Sequence, residues 1–126
     1  MFDETLKSVA EKLVDNCRNG RERAGLDELY ADDAVSVEAA EMNPDMGRTA
    51  EGREAIRGKH DWWEANMEVH SVVVDGPWLH GEDRFAVTFE VDATDRNTDK
   101  RHKMKEVAIY TVKAGKIVRE EFYWAA

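Results

Sequence analysis

The sequence predicts an α+β fold in which a sheet formed mainly by the C-terminal third of the chain is covered by helices from the N-terminal part. Apolar and polar residues alternate along residues 85–91 and along parts of residues 105–112 and 117–124. A period of two, interrupted by turn-forming residues at 97–100 and 114–116, is typical of an antiparallel meander. Such a sheet has one apolar face that needs a cover. We therefore expect the functional site between the sheet and the helices.

Two amphipathic helices are predicted to supply this cover. The first spans residues 3–18 and ends at Asn19 and Gly20, a pair typical of a helix C-terminus. The second begins at Thr49 or Glu51. In both helices apolar residues recur at helical spacing and form one buried stripe. The stripes are Leu6, Val9, Ala10, Leu13, Val14 and Cys17 in the first helix, and Ile56, His60, Trp63 and Met67 in the second.

Short segments connect these elements. We expect, in chain order, a helix at 25–30, a strand at 35–38, a loop at 39–49, a strand at 69–74, a turn at 75–77, a brief strand at 78–80 and a turn at 81–83. The loop contains Pro44 and Gly47, and the turn at 75–77 reads Asp-Gly-Pro, a strong turn signal. No repeat or linker interrupts the chain, so residues 1–126 are predicted to form one domain.

The composition limits the partners and the location of the protein. The 126 residues carry a formal net charge of -9, which argues against nucleic acid and anionic membrane surfaces as partners, because both attract clustered lysine and arginine. No run of about 18 apolar residues is present, and the acidic N-terminus lacks the features of a signal peptide. We therefore expect a cytoplasmic protein. Cys17 is the single cysteine, so an internal disulfide is excluded, and we interpret it as a small apolar helix residue.

The register of the meander decides which side chains face the helices. If residues 114–115 form a two-residue hairpin loop, Ile109 pairs with Glu120. If residues 97–99 form a three-residue loop, the strand at 85–91 follows the same pattern. The inner, apolar face is then predicted to carry Phe85, Val87, Phe89, Val91, Val107, Ile109, Thr111, Val118, Glu120, Phe122 and Trp124. The outer face is predicted to carry Thr88, Glu90, Asp92, Glu106, Ala108, Tyr110, Arg119, Glu121 and Tyr123. A loop that differs by one residue would exchange these roles.

Glu120 is the exception on the apolar face. Its predicted neighbours are Val118, Phe122 and Ile109. A carboxyl group in such surroundings should have a raised pKa, find a partner, or face a pocket. Glu120 is therefore the first candidate for chemistry, beside the alternative that it is solvated at an exposed sheet edge.

Three motifs extend the pattern of elements. Leu29-Tyr-Ala-Asp-Asp-Ala34 precedes the first strand, Gly52-Arg-Glu-Ala-Ile56 opens the second helix, and Gly115-Lys-Ile-Val-Arg119 lies in the last hairpin. The leading helix followed by these three motifs resembles the SnoaL-like branch of the nuclear transport factor 2 superfamily. The resemblance covers nearly the whole chain. The resemblance implies a cone-shaped α+β barrel, in which a strongly bent, mostly antiparallel sheet wraps around the N-terminal helices and a pocket. It also implies a homodimer formed through the sheet.

Members of this superfamily use one cavity for different reactions, so each residue is compared singly. In ketosteroid isomerase a carboxylate base lies at the end of the strand after the Ala-Asp-Asp-Ala motif, and this position is Glu38 here. The acidic oxyanion donor of the isomerase aligns with Val107, and its first-helix tyrosine has no counterpart. Polyketide cyclases carry a histidine where Glu120 stands and an aspartate near Phe122. The resemblance therefore implies a base at Glu38. The other catalytic groups of the isomerase and of the cyclases are not all matched in this sequence.

His60 and several apolar residues complete the predicted site. We expect the His60 imidazole to point toward the sheet, where it can exchange a proton with Glu38 or Glu120. The alternative is a core histidine bonded to a backbone carbonyl. No His-x-His or His-Glu-x-x-His spacing occurs, so we expect no metal and no other cofactor. The residues predicted to shape the pocket and bind the substrate are Trp63, Phe89, Ile109, Phe122 and Trp124.

These features favour an enzyme that acts on a small apolar molecule by general acid–base catalysis, as an isomerase, cyclase, dehydratase or hydrolase. Glu38, Glu120 and His60 are the predicted catalytic residues, because two carboxyl groups beside one apolar cavity acquire different pKa values. The alternatives are a protein that binds a small molecule without catalysis and a homodimeric interaction module. The predicted dimer surface is the outer sheet face, where tyrosine and arginine are frequent.

Overall fold

Helices and strands make up most of the described chain, which comprises residues 4–41, 45 and 47–124 of this computed structural model. In chain order the elements are α1 (Glu4–Arg18), α2 (Leu26–Leu29), β1 (Tyr30–Val37), β2 (Thr49–Glu51), α3 (Arg53–Asn66), β3 (Met67–His80), β4 (Arg84–Asp95), β5 (Arg101–Lys113) and β6 (Lys116–Trp124). The predicted helix start at Asp3 and Pro44 of the predicted loop lie outside the described residues.

The described strands form one mixed sheet in the order β2-β1-β6-β5-β4-β3. Neighbouring strands are antiparallel except β1 and β6, which are parallel. The sheet has free edges at β2 and β3, so it does not close into a full barrel. The predicted α+β cone with a mostly antiparallel sheet is confirmed. No helix in the described ranges has the length and apolar character needed to cross a bilayer.

α1 forms as predicted because its apolar residues repeat along one helical face. Leu6, Val9, Ala10, Leu13 and Val14 are all buried, and Cys17 packs against the same core. The amide of Asn19 donates to the carbonyl of Asp15 at 3.1 Å. Gly20 follows with φ 68°, a left-handed conformation that glycine adopts without steric cost. The predicted end of the helix is therefore confirmed.

The segment between α1 and α3 contains more strand than predicted. β1 begins at Tyr30, earlier than the predicted residue 35, and β2 is a strand that was not predicted. Gly52, with φ 96°, turns the chain from β2 into α3, and its N–H donates to the carbonyl of Ala34 at 2.8 Å. α3 therefore starts at Arg53, after both predicted starts, because the residues at 49–51 pair with β1 instead.

β3 is one long strand where a strand, a turn and a second strand were predicted. Its register with β4 shifts between Asp75 and Trp78, so Gly76 and Pro77 form a β-bulge and the predicted turn at 75–77 was wrong. The predicted strand at 78–80 is present as the continuation of β3. Pairing with β4 resumes beyond the bulge because the one extra residue bends the strand without ending it.

β4, β5 and β6 form the predicted antiparallel meander, but β5 is shifted by one residue relative to both neighbours. The amide of Asp95 donates to the carbonyl of Lys100 at 2.8 Å, so the first loop has four residues where three were predicted. The second loop has two residues, as predicted, but the register shifts between Thr111 and Val112. There β6 contains one extra residue, which forms a β-bulge. Together the two shifts displace β6 by two residues relative to β4, which keeps both strands on their predicted faces because side chains alternate with a period of two.

The shift exchanges the two faces of β5. Tyr110 pairs with Phe85 on one side and with Glu120 on the other, and the rings of Phe85 and Tyr110 stack with centroids 4.7 Å apart. The residues that turn inward, against prediction, are Glu106, Ala108 and Tyr110. The residues that turn outward, against prediction, are Val107, Ile109 and Thr111. The inward residues predicted on β4 (Phe85, Val87, Phe89 and Val91) and on β6 from Glu120 onward are correctly placed.

The inner face of the sheet is covered by two helices. α1 packs on β3 and β4, and α3 packs on β1, β2 and the start of β3. The main core joins the α1 stripe to inner-face residues such as Phe85, Val87 and Ile117. A smaller cluster of Met67, Val91 and Ala93 packs with Trp63. A cavity remains between α3 and the inner face of the meander.

Candidate active site

The cavity has a volume of about 250 Å³, and α3, the loop before β2 and the inner sheet face supply most of its wall. Its lining combines aromatic and aliphatic side chains with several acidic groups. The lining residues that bear on the chemistry are Cys17, Glu22, Tyr30, Glu38, Arg48, Lys59, His60, Trp62, Trp63, Phe89, Glu106, Tyr110, Glu120, Phe122 and Trp124. A concave, mostly apolar site with a few polar groups is typical of small-molecule binding.

Glu120 lies at the buried end of this cavity and is only 4 % exposed. The hydroxyl of Tyr30 donates to its Oε2 atom, and Ser36 is a second hydrogen-bond partner. Burial raises the pKa of Glu120, because water no longer solvates the charged form, while Lys59 and these hydrogen bonds partly oppose the rise. The predicted inward position of Glu120 is confirmed, but its partners are the polar groups of Tyr30 and Ser36, and its cross-strand neighbour is Tyr110 and not Ile109.

Lys59 connects the buried end of the cavity to Glu38. Its ammonium group lies 2.6 Å from the Ser36 hydroxyl oxygen and forms an ion pair with Glu38. It also lies 5.2 Å from the centre of the Phe122 ring, within cation–π distance. The side chains of Lys59 and Glu38 are only 18 % and 21 % exposed, so this ion pair is better shielded from solvent than a surface pair.

Glu106 faces the cavity from β5, one strand away from Glu120. Burial and, to a smaller extent, the nearby charge of Glu38 raise the pKa of this carboxyl to about 7, while Lys59 opposes the rise. A carboxyl group with a pKa near neutrality exists in both protonation states at physiological pH. Within the described part of the chain, its carboxyl has no hydrogen bond or salt bridge, so a bound molecule can reach it.

His60 also lines the cavity, as its place on the α3 stripe predicts. Burial and the charge of Lys59 lower the pKa of the imidazole to about 4. The ring is therefore neutral near pH 7, and it can act as a hydrogen-bond partner but not as a cationic acid. Cys17 lies at the same cavity with its pKa raised to about 12 by burial and by Glu22 and Glu120, so its thiol is protonated and unreactive.

The structure brings most of the predicted site residues together. Those that line the cavity are Glu38, Glu120, His60, Trp63, Phe89, Phe122 and Trp124. Ile109 does not belong with them, because it pairs with Ala86 and Glu121 on the outer face of the sheet. Its predicted place in the pocket was therefore wrong, and the cause is the one-residue shift of β5.

The polar cavity residues that were not predicted for the site include Glu22, Tyr30, Arg48, Lys59, Glu106 and Tyr110. Ser36, which bonds Glu120 and Lys59, was missed too. The sequence contained a signal for Lys59, which lies at helical spacing from Ile56 and Trp63 and so belongs near the predicted stripe. Glu106 alternates with Ala108 and Tyr110, but the predicted register placed all three outward. In the described residues no group of three or more histidine, cysteine, aspartate or glutamate side chains has the arrangement of a metal site.

The helices, the open mixed sheet and the cavity between them match an α+β cone of the nuclear transport factor 2 type. A family model described as the SnoaL-like domain matches residues 4–124, so the chain belongs to the SnoaL-like family. No protein with a curated description matches the chain.

Solved structures support the same fold. A protein from Mesorhizobium loti, provisionally named a SnoaL-like polyketide cyclase, is 38% identical, with a TM-score of 0.85 over 93% of this chain and 97% of that chain. An NTF2-like protein of unknown function from Burkholderia pseudomallei is 16% identical, with a TM-score of 0.77 over 96% and 91% of the two chains. A Bacillus subtilis protein provisionally named an isomerase is 19% identical, with a TM-score of 0.65 over 97% and 84%. For the Burkholderia pseudomallei and Bacillus subtilis proteins, which are 16% and 19% identical, the likeness concerns the fold alone.

Proposed function

We propose that this protein is a cofactor-independent enzyme that moves protons on a small apolar carbonyl compound, in an isomerase-type or cyclase-type reaction. The observation that carries the proposal is Glu106, whose carboxyl has a pKa of about 7 in an apolar cavity, beside the Glu38–Lys59 ion pair. Two carboxyl groups in different environments are a recurrent arrangement for acid–base chemistry. The provisional cyclase name of the 38% identical Mesorhizobium loti protein agrees with this class of reaction.

In the proposed reaction, Glu38 and Glu106 have different roles. The Glu38 carboxylate, held by Lys59, removes a proton from the carbon next to the substrate carbonyl. The electron pair of the broken C–H bond moves toward the carbonyl oxygen and forms an enolate. Protonated Glu106 donates a hydrogen bond to that oxygen, and the Lys59 ammonium adds a positive charge nearby. Glu38 then returns the proton to another carbon, or the enolate attacks a second carbonyl of the same molecule, forming a C–C bond, and Glu38 returns the proton to the alkoxide oxygen that results.

Glu120 and His60 take supporting roles in this proposal. Glu120 is deeply buried and bonded to Tyr30 and Ser36, so it holds Ser36 and, through it, Lys59. We therefore propose Glu120 as a positioning residue. His60 is neutral near pH 7 and supplies a hydrogen-bond partner on the helix side of the cavity. Trp63, Phe89, Phe122 and Trp124 would enclose the apolar part of the substrate.

The test is solvent proton exchange, which needs no knowledge of the final product. The protein is incubated in D2O with a panel of apolar cyclic ketones, and NMR follows deuterium incorporation next to the carbonyl. We expect the native protein to catalyse the exchange, and Glu38→Gln and Glu106→Gln to slow it by roughly 100-fold or more, the usual contribution of a general acid or base.

The matched control is Glu90→Gln. Glu90 is an exposed carboxylate on β4 that pairs with Lys105 on the outer face, so its removal should leave the exchange rate unchanged. Exchange by Glu38→Gln and Glu106→Gln at the native rate would rule out the proposed proton-transfer groups. No exchange with any ketone would reject this class of substrate.

A further inference from the structure

Tyr110 is a cavity residue that the proposed reaction does not use. It faces inward from β5, lines the cavity and is only 2 % exposed. Within the described residues its hydroxyl has no hydrogen-bond partner. The unpartnered atoms that are sealed inside the described structure belong to Glu22 and Arg53, so the Tyr110 hydroxyl keeps some open surface, on the side of the cavity. A hydroxyl that is withdrawn from bulk water without a hydrogen bond is unfavourable, and a ligand oxygen would relieve this cost.

The Tyr110 ring is held in place, so its hydroxyl cannot turn toward another protein group. The ring stacks on Phe85 with centroids 4.7 Å apart and planes 12° apart. Phe85 and Ala108, the next inward residue of β5, are both buried. Burial raises the pKa of Tyr110 well above its ordinary value, so the hydroxyl keeps its proton. It is therefore an oriented hydrogen-bond donor at the cavity wall.

Tyr110 and Glu106 place two unengaged polar groups at separate points of the cavity. Both residues face inward from β5, and four residues of a strand span about 13 Å. Glu106 is influenced by the charges of Glu38 and Lys59, whereas Tyr110 lies beside Glu120 at the buried end. A ligand that satisfies both groups must therefore carry two polar atoms at opposite ends of its apolar body.

The charges of the cavity favour an uncharged oxygen at the Tyr110 end. The cationic side chains of the described cavity wall are Lys59 and Arg48. Lys59 is paired with Glu38, and Arg48 is exposed at the rim. A ligand carboxylate beside Tyr110 would have no counter-ion in this buried place and would lie close to Glu120, which is costly. A carbonyl or hydroxyl oxygen carries no such cost.

We propose that the cavity binds an uncharged apolar ring compound with two oxygen functions at opposite ends, and that Tyr110 donates a hydrogen bond to the second oxygen. The place of the first oxygen, at Glu106 and Lys59, rests on the proposed function. Tyr110 is thus a specificity-determining residue, because a site built to bond a polar group discriminates against analogues of the same shape that lack it. It takes no part in the proton transfer.

The test uses two probes of equal shape, 6-acetyl-2-naphthol and 6-isopropenyl-2-naphthol. In both, the phenol oxygen stands for the enolate oxygen of the substrate, and only the acetyl group carries a second oxygen. Binding is measured by calorimetry at pH 6, where both probes are uncharged. We expect Tyr110→Phe to lower the affinity for the acetyl compound about tenfold, because the buried carbonyl loses its donor. The affinity for the isopropenyl compound should stay unchanged.

The control variant is Tyr123→Phe, which removes an equal hydroxyl from the outer face, where Tyr123 donates to Glu121. It should bind both probes as the native protein does. Tyr110→Phe removes a hydroxyl without an internal partner, so its melting temperature should not fall. The role of Tyr110 is overturned if neither probe binds, if Tyr110→Phe leaves the affinity for the acetyl compound unchanged or weakens both probes equally, or if this variant melts at a lower temperature.

Calorimetry with these probes is separate from the proton-exchange test, because it measures no turnover. An acetyl compound that binds Tyr110→Phe as tightly as the native protein would leave the roles of Glu38 and Glu106 intact. Conversely, acetyl binding that depends on Tyr110 would stand even if no ketone exchanged its protons.

Discussion

Glu106 connects the chemistry of the cavity to the stability of the protein. Its pKa rises from an ordinary value of 4.5 to about 7 on folding. Between these two values the folded state binds more protons than the unfolded state, so the free energy of unfolding falls as the pH rises. The stabilising contribution is therefore fully present below pH 4.5 and is lost as the pH rises through 7. His60 acts in the opposite direction, because its pKa is lowered to about 4.

We expect this effect to appear when the native protein is compared with Glu106→Gln. Between pH 5 and pH 8 the melting temperature of the native protein should fall by a few degrees more than that of the variant. His60, Glu22 and Glu120 are present in both proteins, so their contributions cancel in the comparison. Glu90→Gln, the exposed control on β4, should follow the native protein. Parallel curves for the native protein and Glu106→Gln would contradict the assigned pKa.

Two glycines differ in whether their position requires glycine, and we therefore predict opposite effects of an alanine substitution. Gly58 is inside α3, and a Cβ atom there would meet nothing within 4 Å. Gly76 is in the bulge of β3 with φ 119°, and a Cβ atom there would lie 3.0 Å from the carbonyl oxygen of Ala86. An alanine thus fits the helix but neither the backbone conformation nor the space of the bulge.

Gly58→Ala should raise the free energy of unfolding by roughly 0.5–1 kcal/mol, because alanine loses less backbone freedom than glycine in a helix. Gly76→Ala should lower it by roughly 1–3 kcal/mol through backbone strain and the close contact. Urea denaturation of both variants measures these changes. Equal effects of the two substitutions would refute the assignment of residues 75–77 to a bulge within β3.

The elements that periodicity determines were predictable from the sequence. The α1 stripe follows directly from its helical spacing, and the inward faces of β4 and β6 follow from their alternation. Alternation did not determine which face of β5 turns inward. Its two alternating sets of residues each contain both apolar and polar side chains; they are Glu106, Ala108 and Tyr110 in one set and Val107, Ile109 and Thr111 in the other. Its register depends on a four-residue loop and a β-bulge, which are single-residue differences that a hydrophobic pattern does not encode.

The same limit explains which part of the site was predicted. Glu38 was predicted because it aligns with the carboxylate base of ketosteroid isomerase. Glu120 was predicted because it is a charged residue on an otherwise apolar sheet face. Glu106 was placed on the wrong face with the rest of β5. Tyr30 was assigned to the end of a helix, and its contact with Glu120 joins residues far apart in the chain. Pairings of this kind arise from the parallel contact of β1 with β6, which no local pattern reports.

At the scale of the whole molecule, both long helices lie on the inner face of the sheet and leave the outer face open. Trp78 and Tyr123 are 53% and 51% exposed. Because the two faces of β5 are exchanged relative to the prediction, the outer face carries Val107 and Ile109 in place of Glu106 and Tyr110. The outer face is therefore more apolar than the sequence suggested, and Arg119 and Glu121 add charges of both signs. A centre of this composition suits a self-complementary interface.

We expect a homodimer formed through this outer face, with Val107 and Ile109 near its centre. Sedimentation at micromolar concentration should give the mass of two chains, and Ile109→Lys should give one chain, because a lysine at the centre of an apolar interface is strongly unfavourable. Ile109 points away from the cavity, so the variant should retain ligand binding and proton exchange. Glu90→Lys, a charge change on the exposed part of the same face, is the control that should stay dimeric. A native protein that sediments as a single chain, or an Ile109→Lys variant that still dimerises, would show that the outer face is not the interface.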